Sequence, residues 1–282
     1  MLSYRHAFHA GNHADVLKHS VLMLVLEYML QKEKPFVYVD THAGAGWYDL
    51  RSGWCSKNSE YVEGVEQVWP MLDKADCPAG LKPYLAALKK LNPHGELHEY
   101  PGSPWLAQSV LRLQDRAQLF ELHPNEFKAL QTLFERDKQI RVESGDGFHA
   151  LNAILPPAER RAVVLIDPPY EVKSDYKTLI ESIKTAHKKF ATGVYLIWYP
   201  VLDRTVVNRL ERNLIDSGIR NILLAELSIR PDAEEAGLTG SGMIVINPPW
   251  QLKATLQKLL PELVRKLSDT GSFRLQQLVA EQ

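Results

Sequence analysis

The sequence predicts an α/β fold built on a doubly wound, mostly parallel sheet of seven strands. The predicted strands at residues 36–40 and 162–166 contain continuous apolar runs, at 36–39 and 162–166, which is typical of parallel strands covered on both faces. The first run opens into a loop containing Gly44 and Gly46, and the second stops at Asp167-Pro168-Pro169-Tyr170. Amphipathic helical segments alternate with the strands, as in other α/β proteins. The carboxyl ends of such strands are where α/β sheets bind ligands.

The other elements follow from hydrophobic periodicity and from turn and capping residues. A helix begins near Asn12 or Asp15, either of which can cap it, and ends before Pro35. Further strands are predicted at residues 118–123, 140–143, 193–200, 221–229 and 243–247. Further helices are predicted at residues 103–113, 125–137, 177–190, 203–216 and 252–267. A tight loop between the last two strands predicts that they pair antiparallel.

The alternation of strands and helices is interrupted between the first two strands. Residues 48–100 contain two short helical stretches, at 61–72 and 81–91, separated by Pro and Gly breaks. This connection is much longer than an ordinary βα loop. We therefore expect three parts: residues 1–47 with the N-terminal arm, first helix and first strand, residues 48–100 as a small helical insertion, and residues 101–282 as the remainder.

Composition excludes several classes of protein. The 282 residues contain no apolar run long enough to cross a membrane and begin without a signal-peptide core. Two cysteines, Cys55 and Cys77, provide no disulfide framework and favour a reducing, cytoplasmic location. The formal net charge of −1 does not indicate a nucleic-acid-binding protein. Any such binding must depend on local positive charge.

The N-terminal arm concentrates charged and aromatic residues. Its histidines are His6, His9, His13 and His19. Their spacing suggests a metal site, but no cysteine lies nearby to serve as a thiolate ligand, so we expect no metal. An ordinary helix start does not explain why Tyr4, Arg5, His6, Lys18 and His19 cluster here.

The polar residues at the strand ends fit a nucleoside cofactor. The glycine loop lacks both the third glycine of a dinucleotide fingerprint and the lysine of a P-loop, and favours S-adenosylmethionine. Gly44 would allow a close approach of the backbone. Glu121 could accept both ribose hydroxyls, or lie at the surface. Asp146 could accept from an adenine amine, or cap the next helix, and Ser103 could be only an N-cap.

Two Pro-Pro motifs compete for the catalytic role. Asp167-Pro168-Pro169-Tyr170 ends the fourth strand, which should neighbour the glycine-loop strand, whereas Asn247-Pro248-Pro249-Trp250 ends the seventh. We select Asp167 by this position and interpret Asn247 as a strand terminator. The Asp167 carboxylate and the carbonyls that follow it offer acceptors for an N–H, and the Tyr170 ring offers a flat surface for a flat ring.

The chain carries four features in a fixed order: the glycine loop, the acidic second strand, the Asp146 loop and Asp167-Pro168-Pro169-Tyr170. In this arrangement it resembles class I S-adenosylmethionine-dependent N6-adenine methyltransferases. The segments at residues 4–19 and 40–46 are similar to one group of them, the J-type bacterial 23S ribosomal RNA adenine-N6 methyltransferases. The resemblance extends to about Trp250. It implies a Rossmann-like class I methyltransferase sheet with a small helical insertion.

The resemblance also implies roles for individual residues. Asp167 would be the catalytic acid, Asp167 and the Pro168 carbonyl would each accept one N–H of the target adenine amine, and Tyr170 would stack on the base. Tyr4 would touch the RNA, and Arg5, His6 and Lys18 would supply local positive charge for it. The residues expected to surround the cofactor are Lys18, His19, His42, Gly44, Ser103, Glu121, Asp146, Gly147 and Asp167. The expected partner is 23S ribosomal RNA, protein-free or at an early stage of assembly, with an unpaired or flipped adenine. We expect a monomer that does not associate with membranes.

Three other functions remain open at the level of sequence. A DNA N6-adenine methyltransferase would use the same chemistry on another polymer. A glutamine-amide methyltransferase acting on protein would prefer Asn in place of Asp167. A non-catalytic RNA-binding protein on the same scaffold would bind RNA without the cofactor.

Overall fold

The computed structural model describes residues 6–53, 55–171, 174–232 and 237–282. The strands are β1 Val37–Asp40, β2 Trp47–Asp49, β3 Glu99–Pro101, β4 Arg116–Glu121, β5 Ile140–Ser144, β6 Ala162–Ile166, β7 Val194–Val201, β8 Ile222–Ser228, β9 Gly240–Ile246 and β10 Ser272–Val279. The helices are α1 His13–Leu30, α2 Cys55–Asn58, α3 Val65–Val68, α4 Lys82–Leu91, α5 Ser103–Gln108, α6 Pro124–Phe134, α7 Gly147–Ile154, α8 Ser174–Lys189, α9 Arg204–Ile215 and α10 Leu252–Leu267.

Eight of the described strands form one sheet in the order β10-β8-β9-β7-β6-β1-β4-β5. β1 pairs in parallel with both β4 and β6, so the chain reverses its direction of winding at β1. β5 and β7 extend the parallel part on either side. We call the edge where β1, β4 and β6 end the carboxyl edge and the opposite one the amino edge. A reversal of this kind leaves a crevice at the carboxyl edge.

The predicted α/β class is confirmed, and so is the antiparallel pairing of the last two predicted strands, β8 and β9. The predicted count of seven was too low by one, because β10 pairs antiparallel with β8 at the edge of the sheet. Polar and half-buried residues dominate β10, so it lacks the apolar run that identified the other strands. The predicted helix at residues 103–113 is also shorter. It ends at Gln108, and the Ser109 hydroxyl bonds to the Leu106 carbonyl.

Helix α1 is buried on all sides, which explains why its apolar residues occupy its whole circumference. One face packs against β9, β7 and β6, and the opposite face packs against α3, α4 and α5. The insertion begins and ends at one place because β2 pairs antiparallel with β3. Its apolar side chains, such as Val65, Tyr84 and Leu88, share a core with α1. The division into three parts stays a prediction.

The insertion is less helical than its sequence suggested. The stretch predicted at residues 61–72 contains only α3 and a 3-10 turn at Trp69–Met71, whereas α4 matches the stretch predicted at 81–91. Gly64, whose Cβ would lie 2.1 Å from the Gly11 carbonyl oxygen, lets this segment approach the start of α1. Among the described residues, no helix combines the length and apolar character that a bilayer crossing requires.

Candidate active site

A cavity of about 320 Å³ opens at the carboxyl edge, beside the ends of β1, β4 and β6. It collects most of the residues that the sequence predicted. The predicted residues that line it are His6, Lys18, His19, His42, Gly44, Ser103, Glu121, Asp146, Gly147, Asp167 and Pro168. Tyr170 does not line it, and Tyr4 and Arg5 lie outside the described residues. No group of three or more metal-binding side chains occurs within the described ranges.

Two glycines allow the backbone to surround the cavity closely. Gly44 has a φ of +61°, and a Cβ there would lie 2.5 Å from the Tyr48 hydroxyl. A Cβ on Gly147 would lie 2.0 Å from the Thr41 carbonyl oxygen, so the start of α7 packs directly on the loop after β1. Both positions therefore exclude any side chain.

Glu121 and Asp146 are held by backbone amides on the cavity wall. Glu121 accepts from the amides of Gly44 and His123, each at 2.7 Å. Burial raises the pKa of Glu121, and these two amides oppose that effect. Asp146 caps α7 by accepting from the Phe148 amide at 2.9 Å. An ionised carboxylate offers about four acceptor positions, so both side chains can bind a ligand as well.

Ser103 does not cap its helix as the sequence suggested. Gly102 occupies the N-cap position, and the Ser103 hydroxyl donates to Oδ2 of Asp40 at 2.7 Å. The Tyr38 hydroxyl donates to the same oxygen at 2.6 Å. Asp40 is completely buried at the end of β1, and burial raises its pKa to about 6. This carboxylate ties α5 to β1 directly under the cavity.

The cavity contains an incompletely bonded histidine. Nδ1 of His19 lies 2.8 Å from the Tyr100 hydroxyl, which in turn bonds to the Tyr84 hydroxyl at 2.9 Å. Nε2 of His19 is buried and has no hydrogen-bond partner within the described structure. Burial lowers the pKa of His19 to about 3, so the ring is neutral at pH 7. A buried polar atom without a partner, in the wall of a cavity, is suited to a ligand.

His42 is the second neutral ring in the wall. Burial lowers its pKa to about 4. Its ring meets Phe148 edge-on, with the centroids 4.9 Å apart, and its Nδ1 lies 2.8 Å from the Thr41 hydroxyl. The two rings give this part of the cavity a flat, weakly polar surface.

Lys18 connects α1 to the Pro-Pro motif after β6. Its Nζ lies 2.6 Å from Oδ2 of Asp167 and 2.9 Å from Oδ1 of Asp15. Oδ2 of Asp15 accepts from the Gly11 amide at 2.9 Å and lies 3.0 Å from Nε2 of His6. Burial alone would raise the pKa of Asp15, but His6 and Lys18 hold it well below its ordinary value. A chain of alternating charges therefore joins the N-terminal arm to Asp167.

Tyr170 lies behind the cavity wall. Its ring is 8% exposed and packs on Tyr176, with the centroids 4.5 Å apart, and its hydroxyl donates to the Trp198 carbonyl at 2.5 Å. Its φ of 52° is rare for a bulky residue, so the surrounding contacts hold a strained turn. The stacking of Tyr170 on a base stays a prediction, and in this structure the residue anchors the turn that presents Asp167.

The second Pro-Pro motif lies at the amino edge, far from the cavity. β9 runs antiparallel to β7, so Asn247 emerges where the parallel strands begin. The Asn247 amide nitrogen donates to the carbonyls of Ala191 and Gly193, at 2.8 and 2.7 Å. This amide holds a loop, and Asn247 does not line the cavity that contains Asp167. The interpretation of Asn247 as a strand terminator agrees with these contacts.

Comparison with known proteins assigns the family. Residues 33–279 match the family model described as ribosomal RNA large subunit methyltransferase D, RlmJ. The chain is 49% identical over 272 residues to ribosomal RNA large subunit methyltransferase J of Escherichia coli, covering 96% of each sequence. It is also 49% identical to the protein of the same name from Haemophilus influenzae, covering both sequences fully. The chain belongs to the ribosomal RNA large subunit methyltransferase J family.

A solved structure of this fold supports the assignment. A crystal structure of a protein from Legionella pneumophila superposes with a TM-score of 0.88 at 38% identity, covering 95% of this chain and 98% of that one. The family resemblance inferred from residues 4–19 and 40–46 is confirmed. The Rossmann-like class I sheet is likewise confirmed, with eight strands in place of seven.

Sequence reasoning missed two residues of this family member's site. Asp15 was considered only as a cap, but Asn12 caps α1 and Asp15 pairs with Lys18. Asp40 was treated as part of the loop motif, without a role of its own. The spacing of Asp15 and Lys18 by three residues on one helix was a usable signal, because such residues lie on the same face. The sequence held no comparable signal for Tyr38 and Ser103 meeting on Asp40.

Proposed function

We propose that this chain uses S-adenosylmethionine to methylate the exocyclic N6 amine of an adenine in 23S ribosomal RNA. The observation that carries the proposal is the position of Asp167 and Pro168, in the wall of the cavity and tied to the N-terminal arm through Lys18. Membership of the family gives the reaction class, methyl transfer, and the ribosomal RNA of the large subunit as the substrate class.

The cavity suits the cofactor in its donor set and its shape. The unpartnered Nε2 of His19 and the Ser103 hydroxyl suit the amino-acid end, and Glu121 suits the ribose hydroxyls. Asp146 and the Phe148 ring suit the adenine, and the close contact of Gly147 with Thr41 keeps the start of α7 against the β1 loop at this wall. When bound, S-adenosylmethionine supplies an electrophilic methyl group on its sulfonium.

The role of Asp167 is to orient a weak nucleophile. The lone pair of an exocyclic adenine amine is delocalised into the ring, so the nitrogen must become more tetrahedral before it can attack. Asp167 and the Pro168 carbonyl would each accept one N–H and direct the lone pair toward the cavity. Lys18 holds Oδ2 of Asp167 at 2.6 Å and so fixes the carboxylate for this contact. A carboxylate is a weak base here, and the proton leaves to water after transfer.

The substrate adenine must be unpaired or flipped out, because the amine is inaccessible within a stacked helix. The N-terminal arm would guide the RNA to the cavity, with Tyr4, Arg5 and His6 near the backbone and Lys18 at its inner end. The enzyme would act as a monomer on protein-free or early-assembly RNA.

One experiment separates this function from its rivals. The protein is incubated with S-adenosylmethionine labelled on the methyl group and, separately, with protein-free 23S ribosomal RNA, genomic DNA or release factors. We expect label only in the RNA, as N6-methyladenine after digestion. Label in DNA or in protein glutamine would replace the proposal with one of the other methyltransferases. RNA binding without any label would indicate a non-catalytic binding protein.

A further inference from the structure

A second concavity, which we call the amino-edge groove, lies on the opposite side of the sheet from the active-site cavity. Its volume is about 620 Å³, and it is bounded by the end of α1, the loop at residues 159–162, Thr192, and Asn247-Pro248-Pro249. The parallel strands between the two edges have 4 to 8 residues. At about 3.3 Å per residue the groove is roughly 15–25 Å from the cavity, and cannot contact the nucleotide being methylated.

The amino-edge groove concentrates positive charge. Its charged lining residues are Lys32, Lys34, Arg160, Arg161 and a single acid, Glu159. Lys32, Lys34 and Arg160 are exposed and form no ion pair within the described part of the chain. Since the whole chain has a net charge of −1, this excess of cations is local. Exposed cations without acidic partners keep their charge available for an anionic ligand.

Hydrogen bonds hold each wall of the groove. Arg161 donates to the carbonyls of Met29 and Lys34, which joins the end of α1 to the loop before β6. The Asn247 side chain donates to the carbonyls of Ala191 and Gly193 in the opposite wall.

An exposed tryptophan follows the groove wall. Trp250, directly after Pro249, is 82% exposed. Trp250 thus exposes a large aromatic surface at the end of the motif that forms one wall of the groove. Exposed rings and cations together bind single-stranded nucleic acid, because bases stack on the rings and phosphates contact lysine and arginine. Asn247-Pro248-Pro249-Trp250 takes no part in the proposed methyl transfer. Its first three residues line the groove, so the motif would contribute to ligand binding there.

We propose that the amino-edge groove binds a single-stranded segment of the ribosomal RNA substrate away from the target adenine. Lys32, Lys34 and Arg160 contact phosphates, and Trp250 stacks on a base. The choice of RNA rests on the proposed function. The groove adds a second contact to the RNA, roughly 15–25 Å from the cavity.

The test removes three positive charges from the groove and compares RNA binding with that of a variant that loses three positive charges elsewhere on the surface. The triple variant Lys32→Gln/Lys34→Gln/Arg160→Gln removes three groove charges. The control Lys128→Gln/Arg209→Gln/Lys258→Gln removes three exposed cations that also lack ion pairs within the described residues. Filter binding measures Kd for protein-free 23S ribosomal RNA at several salt concentrations. We expect the groove variant to bind at least about tenfold more weakly, with the slope of log Kd against log salt reduced by about two.

Steady-state kinetics show whether the groove variant changes RNA binding or the chemical step. The groove variant should raise KM for the RNA while kcat at saturating RNA stays within about twofold, since no groove residue touches the cavity. The control variant should change Kd by less than about twofold. Trp250→Ala should weaken binding about fivefold or more, whereas Phe273→Ala, an exposed aromatic on β10, should not.

Two results would overturn the groove proposal. Equal losses in the groove and control variants would show only an effect of total charge, and unchanged Kd in the groove variant would show that RNA does not use this surface. Polyglutamate is tested in place of RNA, as a substitute for an acidic protein. If polyglutamate binds and RNA does not, and if this binding depends on the three cations, the groove is assigned to an acidic protein partner. Filter binding requires no methylation, so a failure of the proposed function, seen as unlabelled RNA, is distinct.

Discussion

Lys18 places one ammonium group between two carboxylates, 2.6 Å from Oδ2 of Asp167 and 2.9 Å from Oδ1 of Asp15. The Lys18 side chain is only 4% exposed, so water screens these contacts weakly. Asp167 follows β6 and Asp15 lies in the first turn of α1, and the ion pairs thus fix the N-terminal helix to the proposed catalytic carboxylate. Substitution of either acid should therefore change the position of Lys18 and, through it, the environment of the other acid.

Asp167→Ala should abolish methyl transfer and leave cofactor affinity within a few fold. The carboxylate would no longer orient the amine, a contribution typically worth at least a hundredfold in kcat. Asn247→Ala is the matched control, because it alters the same kind of motif at the amino edge. It should retain kcat and lose about 1–2 kcal/mol of stability through the two loop hydrogen bonds. Turnover of labelled RNA and calorimetric titration of the cofactor measure both effects, and normal turnover by Asp167→Ala would contradict the assignment.

Asp15→Asn should weaken both the fold and catalysis. The substitution removes a buried charge that His6, Lys18 and the Gly11 amide all contact, at an expected cost of about 3–5 kcal/mol. Lys18 would then lose one of its two carboxylate partners and hold Asp167 less firmly, so kcat should fall more than KM rises. Denaturant unfolding and steady-state kinetics measure the two effects. Asp49→Asn, at an exposed ion pair with Arg51, is the control and should change neither quantity.

The elements that the sequence predicted well are those in which one physical requirement dominates. β1 and β6 are buried on both faces, a position that favours apolar side chains, and Asp40 at the end of β1 is the one charged residue in these two strands. The place of β6 as fourth predicted strand, expected beside the strand that leads into the glycine loop, separated Asp167 from Asn247. β10 was missed because an edge strand with one exposed face tolerates polar residues. Its pairing depends on β8, which is distant in the chain.

The residues of the candidate site also fall into two groups, those that the sequence predicted and those that it did not. Gly44, Glu121 and Asp167 end or follow predicted strands, so sheet topology alone brings them together. The Lys18–Asp167 pair and the Ser103–Asp40 bond depend on tertiary packing between residues 149 and 63 positions apart in the chain. The bond from Tyr38 to Asp40 depends on side-chain direction. The sequence could not predict that Tyr170 is buried, since the side chain of a tyrosine after two prolines can point into the protein or toward solvent.

Gly147→Ala should disrupt the cavity, whereas Gly145→Ala, two residues earlier, should not. The added Cβ at position 147 would lie 2.0 Å from the Thr41 carbonyl oxygen, but at position 145 it would meet nothing within 4 Å. Relief of that clash requires α7 to move away from the β1 loop, at a cost of about 1–3 kcal/mol or more. Thermal unfolding and cofactor titration should show lower stability and at least tenfold weaker binding for Gly147→Ala alone. Equal behaviour of the two variants would mean that α7 does not need its close contact with Thr41.

His19→Gln should make the stability of the protein less sensitive to acid. Burial lowers the pKa of His19 from 6.5 to about 3 in the folded state. Between these values the unfolded chain takes up a proton that the folded chain does not, so the free energy of unfolding falls as the pH falls. One such proton contributes a slope of up to about 1.4 kcal/mol per pH unit. The variant should lose that slope between pH 6 and 4.

The difference between the wild type and His19→Gln isolates this proton. His13 and His42, whose pKa values burial lowers to about 4, add slopes of the same sign in both proteins. Asp40, whose pKa burial raises to about 6, adds one of opposite sign. All three cancel in the difference. Urea unfolding at half-unit intervals of pH gives the curves, with His94→Gln, at an exposed position, as the control that should follow the wild type. If His19→Gln instead parallels the wild type down to pH 4, His19 is charged in the folded protein, and its Nε2 must then have found a partner other than the cofactor.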